Sequence, residues 1–357
     1  ESTIGNLFRG LPRTDVHKRS GRHRGVTRKL ALISPASRFV LLLLLVGLSL
    51  ACAHNQAIDK QAKDLVLTSR EQVSSALLAV QPALSAELDN PERPRIALVL
   101  GSGGTRGIAH IGVLRVLRRE HIPIDFVVGS SVGSIVGALF CSGISQENLE
   151  QIAVTSKRRD IFRYVISKNG VIDGARVEAF INRHIGQRSF DELKIPLAVV
   201  TTDIRTGEEI VIAHGDVARA VRASCTFPGL MAPMKANGRM LVDGGVVDKL
   251  PVTVANNLGA DIVIAVDVTA NTTNHVKLTN MVEVLVQTLN VMARQMTRGQ
   301  AELADVLIRP QVGQQWMLDF KNAQKCIDAG AEATTAVLPR IRALLSQANR
   351  QKKQIAQ

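Results

Sequence analysis

From Arg95 onward the sequence predicts an α/β fold of three layers, α/β/α, with a mainly parallel central sheet. Three observations predict it. Short β-branched runs of strand length alternate with stretches of helical period. The runs are apolar at nearly every position rather than at every second one, so both faces of the sheet must be covered. Aromatic residues are 3% of the chain against 46% hydrophobic residues in all, so the core is built from Val, Ile, Leu and Ala.

The first strand is expected at 96–100, with a helix over 106–120 after a glycine-rich turn. A strand at 125–129 leads into helices at 132–141 and 146–155, and a further helix is expected at 176–185. Strands follow at 197–202 and 209–213, then helices at 217–224 and 251–257. The pattern closes with a strand at 261–268, a helix at 279–300, a strand at 305–309 and a helix at 320–346. These elements make one domain over 95–345, followed by a basic tail at 346–357. Residues 53–94 read as a polar, Ala/Gln-rich spacer with helix expected over 65–88, ending at Asn90-Pro-Glu-Arg-Pro94. In 279–300 the apolar residues Met281, Val284, Val286, Leu289, Val291, Met292 and Met296 recur near helical spacing. That fits a core helix first, and a membrane-docking or partner helix second. Residues 160–174, apolar but weakly periodic, are a candidate interfacial lid.

The 357 residues carry a net charge of +13, which would suit nucleic acid or anionic lipid, but the charge sits at the ends. Residues 1–38 hold nine Lys/Arg against Glu1 and Asp15, and 340–357 hold five Lys/Arg and no acid. The part between is left at +1, without a basic stripe interleaved with aromatics, so nucleic-acid binding is not expected. The basic leader runs into thirteen apolar or small residues, 39–51, too few to span a bilayer, which takes about 20. This is the layout of a secretory signal. Ser49-Leu50-Ala51-Cys52 resembles a bacterial lipoprotein processing site, with Cys52 as the lipidated residue. Residues 1–52 are therefore expected to attach the protein to the membrane of a bacterial envelope, facing the periplasm; an inner-membrane signal anchor is the alternative. Cys141, Cys225 and Cys326 form no C-x-x-C with any partner, and Cys141 and Cys225 read as buried thiols.

Three short motifs fall at strand ends. The first is Gly101-Ser-Gly103-Gly104-Thr105-Arg106-Gly107. Such a turn aims several backbone N–H groups at one anion. It is no dinucleotide loop, because Arg106 stands where the third glycine of G-x-G-x-x-G belongs, and no Gly-Lys-Ser/Thr follows to make a phosphate-binding loop. An oxyanion hole for acyl transfer needs the same geometry. The second is Gly129-Ser-Ser131-Val132-Gly133, between a strand and a helix. This is the setting of a nucleophile elbow, with Ser131 on the turn, Gly129 and Gly133 removing side-chain clashes, and the Val132 N–H at the helix start placed to donate. The third is Asp243-Gly244-Gly245 after Leu241-Val242, a carboxylate at a strand end with an open approach.

A serine nucleophile needs a base. None of the eight histidines (17, 23, 54, 110, 121, 184, 214 and 275) has a recognisable triad setting, whereas Asp243 has the better one, with its Gly-Gly and its strand-end position. A two-residue Ser–Asp site works if the carboxylate takes the proton directly.

In this order, the glycine loop, the G-x-S-x-G and the Asp-Gly-Gly resemble the patatin-like phospholipase family, and most closely its short single-domain bacterial members. The resemblance takes in Ala223-Ser-Cys-Thr-Phe-Pro-Gly-Leu-Met-Ala-Pro233 and Leu258-Gly-Ala-Asp-Ile-Val-Ile-Ala-Val-Asp267, covering about 95–345. It implies a Ser131–Asp243 dyad and an oxyanion hole from the backbone of Gly103, Gly104, Thr105 and Arg106. It implies hydrolysis of fatty-acyl esters in membrane lipids, with no cofactor and no metal. Ser102 stands where the family usually has Gly, and Asp248-Lys249 where Asn is common. Arg106 has two readings, a surface residue at a helix start or a guanidinium turned toward a lipid phosphate. Three functions remain open: a phospholipase or lysophospholipase, an esterase or thioesterase of non-lipid substrates, and a catalytically silent lipid-binding protein. The oligomeric state is not legible.

Overall fold

The computed structural model describes residues 65, 67–69, 93–161, 163–167, 170–269, 281–313 and 322–355. The basic leader, the apolar run 39–51 and Cys52 lie outside the described residues, so the expectations about membrane attachment stand on the sequence. In chain order the strands are β1 (Leu67–Ser69), β2 (Ile96–Leu100), β3 (Phe126–Ser130), β4 (Tyr164–Ser167), β5 (Gly170–Ile172) and β6 (Leu197–Asp203). They continue with β7 (Glu208–Ile212), β8 (Met234–Ala236), β9 (Arg239–Asp243), β10 (Ile262–Val266) and β11 (Val306–Ile308). The helices are α1 (Ala109–Arg119), α2 (Val132–Cys141), α3 (Gln146–Thr155), α4 (Arg158–Ile161) and α5 (Ala175–Ile185). After them come α6 (Val217–Ser224), α7 (Val252–Asn257), α8 (Met281–Glu302) and α9 (Ala323–Ile355).

The sheet runs β1-β7-β6-β3-β2-β10-β11. Its centre, β11-β10-β2-β3-β6, is parallel throughout, and β7, β1 and the β8–β9 hairpin add antiparallel strands beyond β6. Strand alternation sorts the core into two clusters. Ile96, Leu98 and Leu100 of β2 pack with Val127 and Leu197 against one helical layer, where α1, α2, α5 and α9 bury Leu114, Leu139, Phe180 and Ile327. Ala97 and Val99 pack with Val128 and Val200 against Leu250, Val254 and Ala301 on the other face. The three-layer arrangement expected from the apolar runs is the one found.

Four details differ from the sequence reading. Helix was expected over 65–88, but 67–69 form β1, paired to β7; this short run (Leu-Thr-Ser) is captured by a free sheet edge. The 160–174 segment contains the β4–β5 hairpin. The helix expected over 106–120 opens as a 3-10 turn at Gly104–Ile108 before α1 begins. On α8, Val284, Val291, Met292 and Met296 are exposed, against the core-helix expectation, while Thr297 and Ala301 near its C-terminal end are buried. No helix among the described residues is long and apolar enough to cross a membrane.

β6 is the strand that builds the site. One edge of β6 pairs with β3 along its first half, Ser130 opposite Val200, and with β9 along its second half, Asp243 opposite Thr201. β3 runs parallel to β6 and β9 runs antiparallel, so their C-terminal ends meet head to head at Val200–Thr201. Residues 131 and 243, distant by 112 positions, are thereby brought together.

Candidate active site

Ser131 is the N-cap of α2, at φ 54° and ψ −123°. A non-glycine residue at positive φ costs on the order of 1–3 kcal/mol and persists only where the surroundings enforce it. Here they do. The Ser131 N–H donates to Ser224 Oγ at 2.8 Å, and Ser224 Oγ donates in turn to the Val200 carbonyl at 2.6 Å. Gly133 lets α2 approach the sheet, since a Cβ there would stand 1.9 Å from the Leu100 carbonyl oxygen. At Gly129 a Cβ would meet the backbone of Gly133 and Ser134 at 2.8 Å, so both glycines of the motif are required by the turn itself.

Ser131 Oγ donates to Asp243 Oδ2 at 2.6 Å. Asp243 Oδ1 accepts the Gly245 N–H at 2.8 Å, and the Asp243 N–H donates to the Thr226 carbonyl at 2.8 Å. Ser224 and Thr226 both belong to the Ala223–Pro228 stretch, so this segment holds the serine by one residue and the aspartate by another. Asp243 is buried, not exposed as its Gly-Gly setting suggested, because the Gly244–Val246 turn packs it against β6; burial lifts its carboxyl to about 6, against the opposing pull of the Ser131 hydroxyl, the Gly245 N–H and the Lys249 charge.

The glycine loop lies alongside. The amides of Gly101 and Ser102 donate to the Val266 and Lys249 carbonyls at 3.1 and 2.8 Å. Ser102, the departure from the family pattern, donates its hydroxyl to Ser130 Oγ at 2.9 Å, and it occupies the space a side chain at Gly245 would need. A Cβ at Gly244 would stand 2.3 Å from the Val200 carbonyl, which fixes the turn after Asp243 against β6. Gly107 lets the loop touch the elbow, since a Cβ there would meet Val132 Cγ1 at 2.3 Å. His110 is wholly buried with Nε2 2.9 Å from the Gly101 carbonyl, and burial lowers its pKa to about 4.

Arg106 is not the surface residue of the first reading. It is buried, and its Nε donates to the Val268 carbonyl at 3.1 Å. Burial pushes its pKa down, with Asp267 opposing. Lys249 lies in the same charged group. Burial and the like charge of Arg106 lower it to about 8, with Asp243 and Asp267 pulling the other way.

All of this opens on a cavity of about 190 Å³. Ser131, Asp243, Gly103, Gly104, Thr105, Arg106, Val132, Gly245 and Lys249 line its polar end. Beyond them the wall is apolar, formed by residues such as Ile135, Leu139, Ile152, Val177, Phe180 and Met231, with Ile161 from the end of α4 and Ile172 from β5. An elbow serine bonded to a carboxylate at the end of an apolar slot is an arrangement for attacking a carbonyl that carries a long apolar group.

Residues 98–256 match the family model for patatin-like phospholipase. They form a patatin-like phospholipase domain. The matched span runs from β2 to α7 and contains the glycine loop, Ser131 and Asp243. The chain is 37% identical over 179 residues to an NTE family protein of Mycobacterium tuberculosis, covering 48% of this chain and 49% of that one. It is 36% identical over 181 residues to human patatin-like phospholipase domain-containing protein 6, covering 48% of this chain and 13% of that one. The chain thus spans about half the length of its mycobacterial relatives. Among solved structures it is similar to VipD from Legionella pneumophila, with TM-score 0.41 and 13% identity over 70% of this chain and 67% of that one. The patatin-like domain is a fold of hydrolases acting on carboxylic ester bonds.

The sequence singled out Ser131, Asp243 and the glycine loop, and the structure brings them to one cavity. The holding role of Ser224 was not visible, because its partner is a backbone N–H 93 positions away. Lys249 showed only as a departure from the family pattern. Cys141, Cys225 and Cys326 are buried thiols outside any disulfide, and Cys225 lines the cavity. Among the described residues no group of His, Cys, Asp and Glu could hold a metal ion.

Proposed function

We propose that the protein is a serine acyl hydrolase that cleaves fatty-acyl esters of membrane lipids through Ser131 and Asp243. The 2.6 Å hydrogen bond from Ser131 Oγ to Asp243 Oδ2, at the polar end of an apolar cavity, carries the reading. Asp243 takes the hydroxyl proton as Ser131 Oγ attacks the acyl carbonyl. The negative charge that forms on the carbonyl oxygen is held by loop amides from Gly103, Gly104, Thr105 and Arg106 and by the Val132 N–H at the start of α2. Gly101 and Ser102 cannot serve, because their amides are already bonded to carbonyls. Collapse breaks the ester C–O bond, and Asp243 returns its proton to the leaving alcohol or lysolipid. Water, deprotonated by Asp243, then attacks the acyl carbon; the bond to Ser131 Oγ breaks, Asp243 returns the proton to that oxygen, and the fatty acid leaves.

The apolar wall favours a fatty-acyl group over a small ester, and the family favours lipid. A catalytically silent lipid binder would have no use for the elbow's positive φ or for a carboxylate shifted to about 6. Attachment to a bacterial membrane through Cys52, facing the periplasm, would put the enzyme where its substrate is.

The test is fatty-acid release from mixed phospholipid vesicles by the full chain, beside Ser131→Ala and Asp243→Asn. The expected loss is on the order of 10³-fold or more in either variant. Absence of release from every phospholipid and from a short soluble ester, by folded protein, would overturn the reading.

A further inference from the structure

Among the described residues seven large apolar side chains are exposed, and they are not scattered. Val284, Val291, Met292 and Met296 lie on α8, and Leu303 follows its end. Residues 284, 288, 291, 292, 295 and 296 recur at three- and four-residue steps, so they share one face of the helix. That face is exposed throughout, with Thr288 and Gln295 its polar members. Over 284–296 no acidic side chain interrupts it; the exposed Arg298 stands just beyond, and the exposed Glu302 follows on the same side at the helix end. The opposite side fixes the helix to the body. Thr297 and Ala301 are buried, and Gln300 Oε1 accepts the Thr253 N–H and hydroxyl at 3.0 and 2.8 Å.

The patch is continuous with the catalytic cavity. Met292, more than half exposed, also lines that cavity. α8 packs against the Gly244–Val246 turn, which follows Asp243 directly. Exposed patches of this kind mark interaction sites. We propose that the outer face of α8 is a membrane-docking surface, which sits in the lipid interface and opens the cavity mouth onto the bilayer. Three observations select a lipid bilayer as occupant: the face is mainly apolar and free of acids over 284–296, Arg298 flanks it ahead of Glu302, and Met292 joins it to an acyl-sized apolar slot. The proposal rests on the acyl-hydrolase reading for what enters the cavity, but not for the docking itself.

A probe on α8 separates this contact from any contact made by the N-terminus. Val291→Cys in the full chain, labelled with an environment-sensitive fluorophore, is mixed with phosphatidylethanolamine–phosphatidylglycerol vesicles. The emission is expected to shift to the blue and rise several-fold, while the same label at Ile204→Cys, on the β6–β7 turn, stays as in water. Val284→Glu combined with Val291→Glu is expected to slow hydrolysis of vesicle lipid about tenfold or more, leaving a water-soluble short ester hydrolysed at the parent rate. No change at position 291 on adding vesicles would overturn the proposal, even if vesicle lipid is hydrolysed. A shift that needs only higher protein concentration and no lipid would assign the face to a second copy, and would also overturn it. A lipid-dependent shift in a protein that hydrolyses no ester would leave the docking surface standing and the hydrolase reading fallen.

Discussion

Asp243 must be ionised to accept the serine proton, yet the fold favours its protonated form. Its carboxyl moves from 3.8 to about 6, with burial as the chief cause. A folded-state value raised above the unfolded one means that the bound proton stabilises the fold. That stabilisation is complete below pH 4 and is lost as pH rises through 6, so ionised Asp243 costs on the order of 3 kcal/mol above that pH. Two outcomes follow. The turnover rate should climb through pH 6 and level off above it, measured on a soluble ester. Asp243→Asn, which has no charge to desolvate, should gain melting temperature relative to the parent as pH rises from 5 to 7.5, while its turnover stays near background. A gap in melting temperature that does not change with pH would refute the burial account. At this scale the sequence was informative where chemistry demands a residue type at a turn. Ser131 and Asp243 were legible because glycines flank them. The buried setting of Arg106 was not, because it depends on the Val268 carbonyl from a strand end 162 positions later.

Elements were legible where the apolar run was long. β2, β3 and β10 appear near their expected bounds because each is buried at every position. β1, β8 and the β4–β5 hairpin escaped, being only three or four residues long and set by pairing rather than by pattern. Neither did helical period reveal how α9 crosses α1, the most extensive helix pair among the described residues. A Cβ at Gly330 would stand 2.0 Å from the Ala109 carbonyl oxygen, and one at Gly112 would stand 1.8 Å from that of Ile327. The two backbones touch, and only glycine permits it. Glycine in a helix normally costs up to about 1 kcal/mol against alanine. Forced overpacking of a core costs about 1–3 kcal/mol or more, so the clash wins. Gly330→Val should lower unfolding free energy by about 2 kcal/mol or more in denaturant titration. Gly299→Ala on α8, where a Cβ meets nothing within 4 Å, should raise it by roughly 0.5–1 kcal/mol. Equal effects from the two changes would mean that the α1–α9 contact is looser than described.

For the whole molecule, charge and attachment belong together. The +13 is concentrated at the two ends, and part of the C-terminal share is already answered within the fold. Along α9, Arg342 pairs with Glu120, and Lys352 Nζ stands 2.9 Å from Asp261 Oδ2. The basic tail expected at 346–357 continues α9 as far as Ile355, and Lys352 in it pairs with Asp261 of the body. On the membrane-docking proposal, attachment rests chiefly on apolar contact. The outer face of α8 supplies some of it, next to the cavity. The N-terminal segment supplies the rest if Cys52 carries acyl chains, each methylene of which adds about 0.8 kcal/mol on burial in lipid. In bacterial cells grown with a labelled fatty acid, the protein should take up label, and Cys52→Ala should take up none. The parent should also stay with membranes through washes at high salt, because acyl insertion does not depend on charge. Label absent from the parent, with the protein still sedimenting with membranes, would reject lipidation at Cys52 and leave attachment to 39–51 or to the outer face of α8.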